Sequence, residues 1–259
     1  MTIQAPDVLL DLLLASRAPV STRALIRAGT LLGLGNVAIR VALSRLVAER
    51  KIARIGRGSY VTSAQDGGVF QAISDWPNKH ALAGPWNGDW IAVHDAEIGR
   101  SDKVAWRHHR LALDLWGLRP LRAGLHVRPA NLRCTIEEFS ARLGAVGLGR
   151  RAVVLHVASL PPAVDKQARR LWNAAELVAH DRQLLARLSA SLRSARRSDR
   201  AKWLAESFLL GREVIAYLVR DPILPPELMP SRSRAALLDA ARDYQQRARA
   251  LWQQWLAED

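Results

Sequence analysis

The sequence predicts a helix-rich α+β fold, and three observations support this prediction. In the middle of the chain, short apolar runs of strand length alternate with amphipathic helical patterns. After Pro161-Pro162, apolar residues recur at helical spacing almost to the end of the sequence. Near the N-terminus, three helical patterns precede two short runs joined by a Gly-Arg-Gly turn. The 259 residues, 49% of them hydrophobic, are enough for two or more folded domains.

The charge balance indicates an anionic partner. Lys and Arg number 38 against 24 Asp and Glu, which gives a net charge of +14. The excess is concentrated in two regions: residues 1–64 hold nine basic and three acidic residues, and residues 150–200 hold eleven and four. A polyanion such as nucleic acid is the partner that such charge favours.

The cysteine count and the length of the apolar runs indicate the cellular compartment of the protein. Cys134 is the single cysteine, so no intramolecular disulfide and no zinc finger can form, and a reducing compartment is expected. The sequence has no N-terminal signal pattern and no apolar run near the roughly 18 residues that span a bilayer. We therefore expect a cytoplasmic protein with no membrane partner.

The N-terminal region predicts three helices in succession. The first runs from Pro6 to Ala15 and is apolar on nearly all sides, as expected of a buried bundle member. Ser21 caps the second, which extends from Thr22 to about Leu32. A glycine-containing turn leads to the third helix, which Asn36 is expected to cap.

The third helix has two distinct faces. Its inward stripe is predicted to consist of Ala38, Ile39, Ala42, Leu43, Leu46 and Val47. The opposite face carries Val37, Arg40, Val41, Ser44 and Arg45. Beyond the helix, the stretch from Lys51 to Ile55 alternates as a half-buried strand does, and Gly56-Arg57-Gly58 turns the chain into a second strand, Ser59 to Thr62.

Three helices followed by a basic hairpin are the winged helix-turn-helix order, which we assign to residues 1–64. The major groove of DNA admits one α-helix, and Arg can reach a guanine with two hydrogen bonds. The residues expected to read bases are Val37, Arg40, Val41, Ser44 and Arg45. The residues expected to contact phosphates are Arg23, Arg27, Lys51, Arg54 and Arg57. The alternative is a plain three-helix bundle with solvated arginines, which leaves the basic hairpin unexplained.

The rest of the chain predicts a linker and two further domains. Residues 65–85 are rich in turn signals, although Val69 to Ile73 could form a short helix. Residues 86–160 show the order β-α-β-β-α-β, which is the ferredoxin-like plan, with another α+β strand order as the alternative. Residues 161–259 predict a helical domain with long helices at Val164 to about Arg197, Lys202 to Arg220 and Ser233 to Ala257. Its apolar surface suits a dimer interface or, equally, a self-contained core.

The whole chain resembles the PaaX family of bacterial transcriptional repressors. Three collinear stretches carry the resemblance: Val37–Val47 with Gly58-Ser59-Tyr60, then Trp86–Trp90 with Gly117–Pro129, then Asp221–Leu228. The resemblance covers nearly all of residues 5–255. It implies a homodimeric repressor of a catabolic operon that binds a double-stranded operator and is released by a small-molecule effector. In the name-giving members, which act in phenylacetic acid catabolism, the effector is an aryl-CoA thioester.

An effector pocket is expected between the middle domain and the helical region. Its candidate residues are Trp86, Trp90, Trp106, Trp116, Arg119, Arg122 and Arg128, although tryptophans at such spacing are more often core residues. No P-loop, HExxH or GxSxG motif is present, and we expect no cofactor, no metal and no catalysis.

Two alternatives stay open at this point. Asp95 lies near the end of the first ferredoxin-like strand, where some metal-dependent nucleases place an acid, and several histidines could converge on a metal. A non-specific architectural DNA-binding protein fits the net charge equally well.

Overall fold

The structure is a computed structural model that describes residues 4–16, 18–63, 68–195, 199–230 and 232–258. It is helix-rich α+β with small antiparallel sheets, as the sequence predicts. The chain divides into two compact units. Unit 1 comprises Met1–Asp66, Arg187–Arg212 and Ala240–Asp259, and unit 2 comprises Gly67–Ala186 and Glu213–Asp239.

The N-terminal part of unit 1 contains the predicted helices and hairpin. Its elements are α1 (Ala5–Ala15), β1 (Val20–Ser21), α2 (Thr22–Leu31), α3 (Asn36–Ala48), β2 (Ile52–Ile55) and β3 (Ser59–Thr62). The predicted cap of α2 is confirmed, because the Ser21 side chain accepts a hydrogen bond from the Ala24 N–H. The short strand β1 was not predicted; it pairs with β3 and makes an antiparallel sheet in the order β1-β3-β2.

Three local predictions for this region are wrong. Gly35, not Asn36, precedes α3 as its cap, and the Asn36 carboxamide oxygen instead accepts a hydrogen bond from the Thr30 hydroxyl at 3.3 Å. Ala38 and Val47 are exposed, so the buried stripe of α3 is narrower than its apolar pattern suggests. Strand β2 begins at Ile52, which is its only buried residue, because the strand lies at the edge of its sheet.

Unit 2 is built around a second sheet. The elements from Gly68 to Val157 are α4 (Gly68–Ser74), α5 (Trp76–Lys79), a 3-10 turn (His80–Leu82), β4 (Trp90–His94), α6 (Lys103–Leu115), β5 (Arg119–Arg122), β6 (Leu125–Pro129), α7 (Ile136–Ala145) and β7 (Val153–Val157). The four strands are antiparallel in the order β5-β6-β4-β7. A capping box between Thr135 and Glu138 starts α7.

The segment predicted as a linker, residues 65–85, is largely folded. Residues 65–67 lie outside the described part of the chain, whereas Gly68–Ser74 and Trp76–Lys79 are helical. The short helix expected within Val69 to Ile73 is confirmed. Trp76 and Lys79 are buried, so this segment contributes to the interior of unit 2.

The C-terminal helices are α8 (Pro162–Ala168), α9 (Ala174–Ser194), α10 (Arg200–Val219) and α11 (Arg232–Ala257). The stretch from Val164 to about Arg197, predicted as one long or kinked helix, forms two separate helices, because the chain leaves the helix between Ala168 and Ala174 and buries Trp172 there. The basic segment Arg193–Arg200 is described only in part, since residues 196–198 lie outside the described chain.

Each unit has its own apolar core. In unit 1, α1, α2 and α3 contribute Leu9, Leu12, Leu25, Ile39 and Leu43, and the C-terminal helices add Leu204 and Trp252. In unit 2, one core cluster joins Trp86, Trp90, Val127, Ala168 and Trp172. The predicted helical domain of residues 161–259 is therefore divided between the two units rather than forming one of its own.

Candidate nucleic-acid interface

The solvent-facing side of α3 is the centre of the candidate interface. Val37 is 76% exposed and Val41 is 62% exposed, which is unusual for branched apolar side chains. Arg40 and Ser44 are exposed as well, and the spacing 37, 40, 41, 44 forms one stripe along a helix. Ser44 Oγ donates to the Arg40 carbonyl at 3.1 Å, which leaves the hydroxyl oxygen free to accept a hydrogen bond. The helix thus presents two methyl-bearing side chains between polar groups.

The buried side of α3 fixes this orientation. Ile39, Ala42, Leu43 and Leu46 are at most 3% exposed and pack into the core of unit 1. Burying a side chain of this size contributes about 1.5–3 kcal/mol, so rotation of the helix about its axis would be strongly unfavourable. The exposed stripe is therefore held outward by packing on the opposite side.

Glu49 forms ion pairs with two of the basic residues that were predicted to contact DNA. Arg45 Nε donates to one Glu49 carboxylate oxygen at 2.7 Å, and Lys51 Nζ lies 2.9 Å from the other oxygen. The hydrogen bond from Arg45 lowers the pKa of Glu49 below its usual value and raises the pKa of Arg45. All three side chains are solvent-accessible, so the arrangement can open when an anion competes for the two cations.

The hairpin is anchored to the start of α2. Its turn contains Gly56 and Gly58, with φ values of +55° and +100°, conformations that favour glycine. The Gly58 carbonyl accepts hydrogen bonds from the Thr22 N–H at 2.8 Å and from the Thr22 hydroxyl at 2.7 Å. This anchoring holds the hairpin tip beside the N-terminal end of α2. Arg54 and Arg57 are exposed on the hairpin, as predicted.

The two arginines predicted on α2 differ in their surroundings. Arg23 is exposed and can reach an anion. Arg27 is only half-exposed, because its guanidinium lies 5.3 Å from the Trp255 ring centroid and donates to the Trp255 carbonyl. Arg27 is thus engaged within unit 1, and its expected contact with phosphate does not fit this geometry.

One basic residue of this region was missed by the sequence reasoning. Arg50 lies at the corner between α3 and β2 in a left-handed conformation, with φ of +56°, and its side chain is exposed. It closes α3 in a Schellman motif, in which the Arg50 N–H donates to the Val47 carbonyl at 2.9 Å and the Lys51 N–H donates to the Leu46 carbonyl at 3.0 Å. The Arg-Lys pair directly after the helix was the available signal.

The residues expected to form an effector pocket do not come together. Trp86 and Trp90 contact each other with ring centroids 5.4 Å apart, and Trp90 stacks on Trp172 at 6.3 Å. Trp116 instead packs against Phe139, and Trp106 stacks on His109. The predicted set of four tryptophans is therefore distributed over three separate clusters.

The arginines of that set are also dispersed. Arg128 is fully buried and donates to the carbonyls of Trp116 and Pro222 and to the Asn131 side chain. Burial lowers the pKa of Arg128 to about 10, so it remains charged at neutral pH. Arg119 pairs with Asp114 at 3.4 Å, and Arg122 donates to Gln167 at 2.7 Å. Arg128 is a structural residue that ties β6 to the segment after α10.

The histidines and Asp95 do not assemble a metal site. The ring nitrogens of His109 are both used: Nδ1 accepts from the Gly149 N–H at 3.1 Å, so Nε2 carries the proton and donates to Asp95 at 2.8 Å. His126 lies 3.4 Å from the same carboxylate, and burial lowers its pKa. Within the described residues, no group of three or more His, Cys, Asp or Glu side chains is arranged to hold a metal ion.

Comparison with known proteins shows a relationship at the level of fold. No protein-family model and no curated protein matches the chain. Among solved structures, the chain is similar to one described as "Uncharacterized protein Rv0674 from Mycobacterium tuberculosis". The two are 24% identical with a TM-score of 0.60, and the alignment covers 96% of this chain and 99% of the other. At this identity the similarity shows a common fold over nearly the whole length.

None of the described helices is both long enough and apolar enough to cross a membrane.

Proposed function

We propose that this protein is a DNA-binding transcriptional regulator whose N-terminal region acts as a winged helix-turn-helix. The single observation that carries the proposal is the outward stripe of α3, in which Val37, Arg40, Val41 and Ser44 are all exposed beside a basic hairpin. An isolated surface helix gains nothing from exposing two valines, whereas a helix in the major groove can place them against thymine methyl groups.

Contacts to phosphate and to bases are divided between different elements in this proposal. Arg23, Arg50, Arg54 and Arg57 supply the sequence-independent attraction that weakens with salt. Arg40, Ser44 and the two valines of α3 read base edges. Arg45 and Lys51 join the interface only when they leave Glu49.

In this proposal, the remainder of the chain joins two copies into a homodimer and lowers their affinity for DNA when an effector binds. The strand order β5-β6-β4-β7, with α6 and α7 as the connecting helices, supports a ferredoxin-like plan for Trp90–Val157. Residues 5–255 resemble PaaX-type repressors, which supports a homodimer that releases its operator on binding a small-molecule effector. A dimer would place two copies of α3 about one helical turn of DNA apart on a palindromic site.

Two other functions fit the observations less well. A metal-dependent nuclease would need Asp95 open to a metal, but Asp95 is buried and pairs with His109. A non-specific architectural protein accounts for the positive charge, but such proteins place apolar side chains in the minor groove, whereas these valines lie on a helix followed by a hairpin, the order of a major-groove reader.

The test is a DNA-binding measurement with the full-length protein. Sites are selected from random duplexes, and affinity for a selected site is compared with affinity for a scrambled duplex by fluorescence anisotropy. A regulator prefers its site by about 10³-fold or more, and the double variant Arg54→Ala/Arg57→Ala loses affinity for both duplexes. The matched control is Arg150→Ala/Arg151→Ala, which removes the same charge from exposed positions of unit 2. Equal affinity for every duplex would favour the architectural protein, and no binding would contradict the proposal.

A further inference from the structure

A cavity of about 310 Å³ lies within unit 2. Its walls come from α4, α5, the C-terminal ends of α6 and α7, and Val219 of α10. The lining is mainly apolar and includes Ala72, Leu82, Leu115, Trp116 and Val146. Pockets for small organic molecules typically measure about 300–1,000 Å³, and this cavity lies at the lower end of that range.

Trp116 brings an unsatisfied donor to this cavity. Its Nε1–H is buried and has no hydrogen-bond partner in the described parts of the chain. A buried donor without an acceptor costs roughly 1–3 kcal/mol, and buried indoles normally have a partner. Trp116 is one of the lining residues, and an acceptor carried by a molecule bound beside its N–H would satisfy the group.

Two cations flank the same ring, and they differ in availability. Lys79 Nζ lies 5.5 Å from the Trp116 centroid, but its three protons are donated to the carbonyls of Leu115, Val219 and Asp221 at 2.6–2.8 Å. Arg142 lies 5.9 Å from the centroid on the exposed side. Arg142 forms no ion pair with any residue that the structure describes, so its guanidinium can bind an incoming anion.

The acidic side chains near the cavity do not cancel this positive charge. Among the described residues, Asp75 is the one carboxylate of the lining, and it accepts a hydrogen bond from Gln71 at 3.0 Å. Asp221 does not line the cavity and pairs with His80 and Arg234. The wall therefore combines an apolar surface, one free guanidinium and one unsatisfied N–H.

We propose that this cavity binds a small monocarboxylate with an apolar body. The carboxylate lies between the Arg142 guanidinium and the Trp116 indole N–H, and the hydrocarbon part packs against Leu82, Leu115 and Val146. An ammonium compound would be repelled by Arg142, and a pure hydrocarbon would leave the Trp116 donor unsatisfied. The ligand class differs from the CoA thioester that the family resemblance implies, because this volume does not hold a coenzyme A moiety.

The position of the cavity in the chain links such a ligand to the regulation of DNA binding. Strand β3 ends at Thr62 and α4, which forms one wall, begins at Gly68. A molecule bound in the cavity contacts α4, which is the first described element after the hairpin in the chain. This regulatory use rests on the proposed function, whereas the binding itself does not.

The test is calorimetric titration of the full-length protein without DNA. The probes are benzoate and hexanoate, with benzamide and hexanamide as neutral counterparts of similar shape. We expect the acids to bind and the amides to bind about tenfold more weakly or not at all. Arg142→Gln should abolish the difference between acid and amide, and Arg151→Gln, an exposed change in the same unit, should preserve it.

A second variant tests the apolar volume of the cavity rather than the charge of Arg142. Ala72→Leu places additional atoms in the apolar part and should weaken acid binding while circular dichroism shows an unchanged fold. The proposal is overturned if neither acid binds at concentrations up to about 10 mM, or if Arg142→Gln and wild type bind both acids equally. This titration contains no DNA, so its result can be interpreted even if the protein is found not to bind DNA.

Discussion

Arg45 Nε, in the last turn of α3, donates at 2.7 Å to the carboxylate of Glu49, the residue that directly follows the helix. The same carboxylate lies 2.9 Å from Lys51 Nζ, so a single acid pairs with two cations at the C-terminal end of α3 and leaves one positive charge unbalanced. In the free protein both cations are therefore paired with Glu49, and because all three side chains are solvent-accessible, a phosphate can compete for them. In the proposed interface, a phosphate that binds either cation must compete with Glu49.

Glu49→Gln should raise affinity for random-sequence DNA, because it releases Arg45 and Lys51 to phosphates. The dependence of log K on log salt should become steeper by up to about 2, since each additional phosphate contact contributes roughly 0.9. Anisotropy titrations at several salt concentrations measure both quantities. Glu97→Gln, which changes the same charge at an exposed position of unit 2, should have a smaller effect. An unchanged salt dependence in Glu49→Gln would show that the two cations do not reach DNA.

Arg40→Ala should weaken binding to the operator by about 1–3 kcal/mol if Arg40 makes a bidentate contact to guanine. The loss should be confined to the specific site, because random DNA offers no fixed partner for this side chain. Electrophoretic shift with both duplexes measures the difference, and Arg107→Ala, on the exposed surface of α6, serves as control. Unchanged operator affinity would refute the assigned role.

Ile39 and Val41 allow the two sides of α3 to be tested separately. Ile39→Ala removes a fully buried side chain and should lower the free energy of unfolding by about 2–5 kcal/mol. Val41→Ala, at a position that is 62% exposed, should change that free energy by less than about 0.5 kcal/mol while weakening operator binding. Urea denaturation and anisotropy measure the two effects. A large loss of stability in Val41→Ala would mean that this side of α3 is packed.

Lys79 should make stability depend on pH. Burial lowers the pKa of Lys79 from an ordinary 10.5 to about 7 in the folded state. Between these values the unfolded chain binds more protons than the folded chain, so the free energy of unfolding should rise with pH. The rise from one group is at most about 1.4 kcal/mol per pH unit.

The measurement is urea denaturation of wild type and Lys79→Met at pH 7, 8 and 9. The stability difference between the two proteins should change with pH, because Lys79→Met lacks the titrating group. Lys166→Met, at an exposed position, should retain the pH dependence of wild type. Parallel curves for wild type and Lys79→Met would contradict the assignment.

Local signals in the sequence predicted much of the secondary structure. The helical period and the cap at Ser21 located the three N-terminal helices, and the paired glycines located the turn of the hairpin. The exposed face of α3 followed from the same period. These features depend on neighbours within a few residues, which is why one sequence was enough.

Features that depend on distant partners were not predicted. The contact of Arg27 with Trp255 joins residues 228 positions apart, and no local pattern distinguishes it from the exposed Arg23. The tryptophans around the middle domain were grouped by sequence, but Trp90 pairs with Trp172 and Trp116 with Phe139. The ammonium of Lys79 is held by carbonyls of α6 and α10, so its burial could not be inferred from residues 65–85.

The most direct test of the central claim is amide hydrogen exchange of the full-length protein, measured with and without a bound duplex. The account predicts that DNA slows exchange in peptides covering residues 36–48 and 52–62, because α3 and the hairpin lie against the duplex. Peptides from α6, on the surface of unit 2, should exchange at similar rates in both states. Slowed exchange confined to unit 2, with α3 and the hairpin unaffected, would contradict the claim that this helix reads DNA.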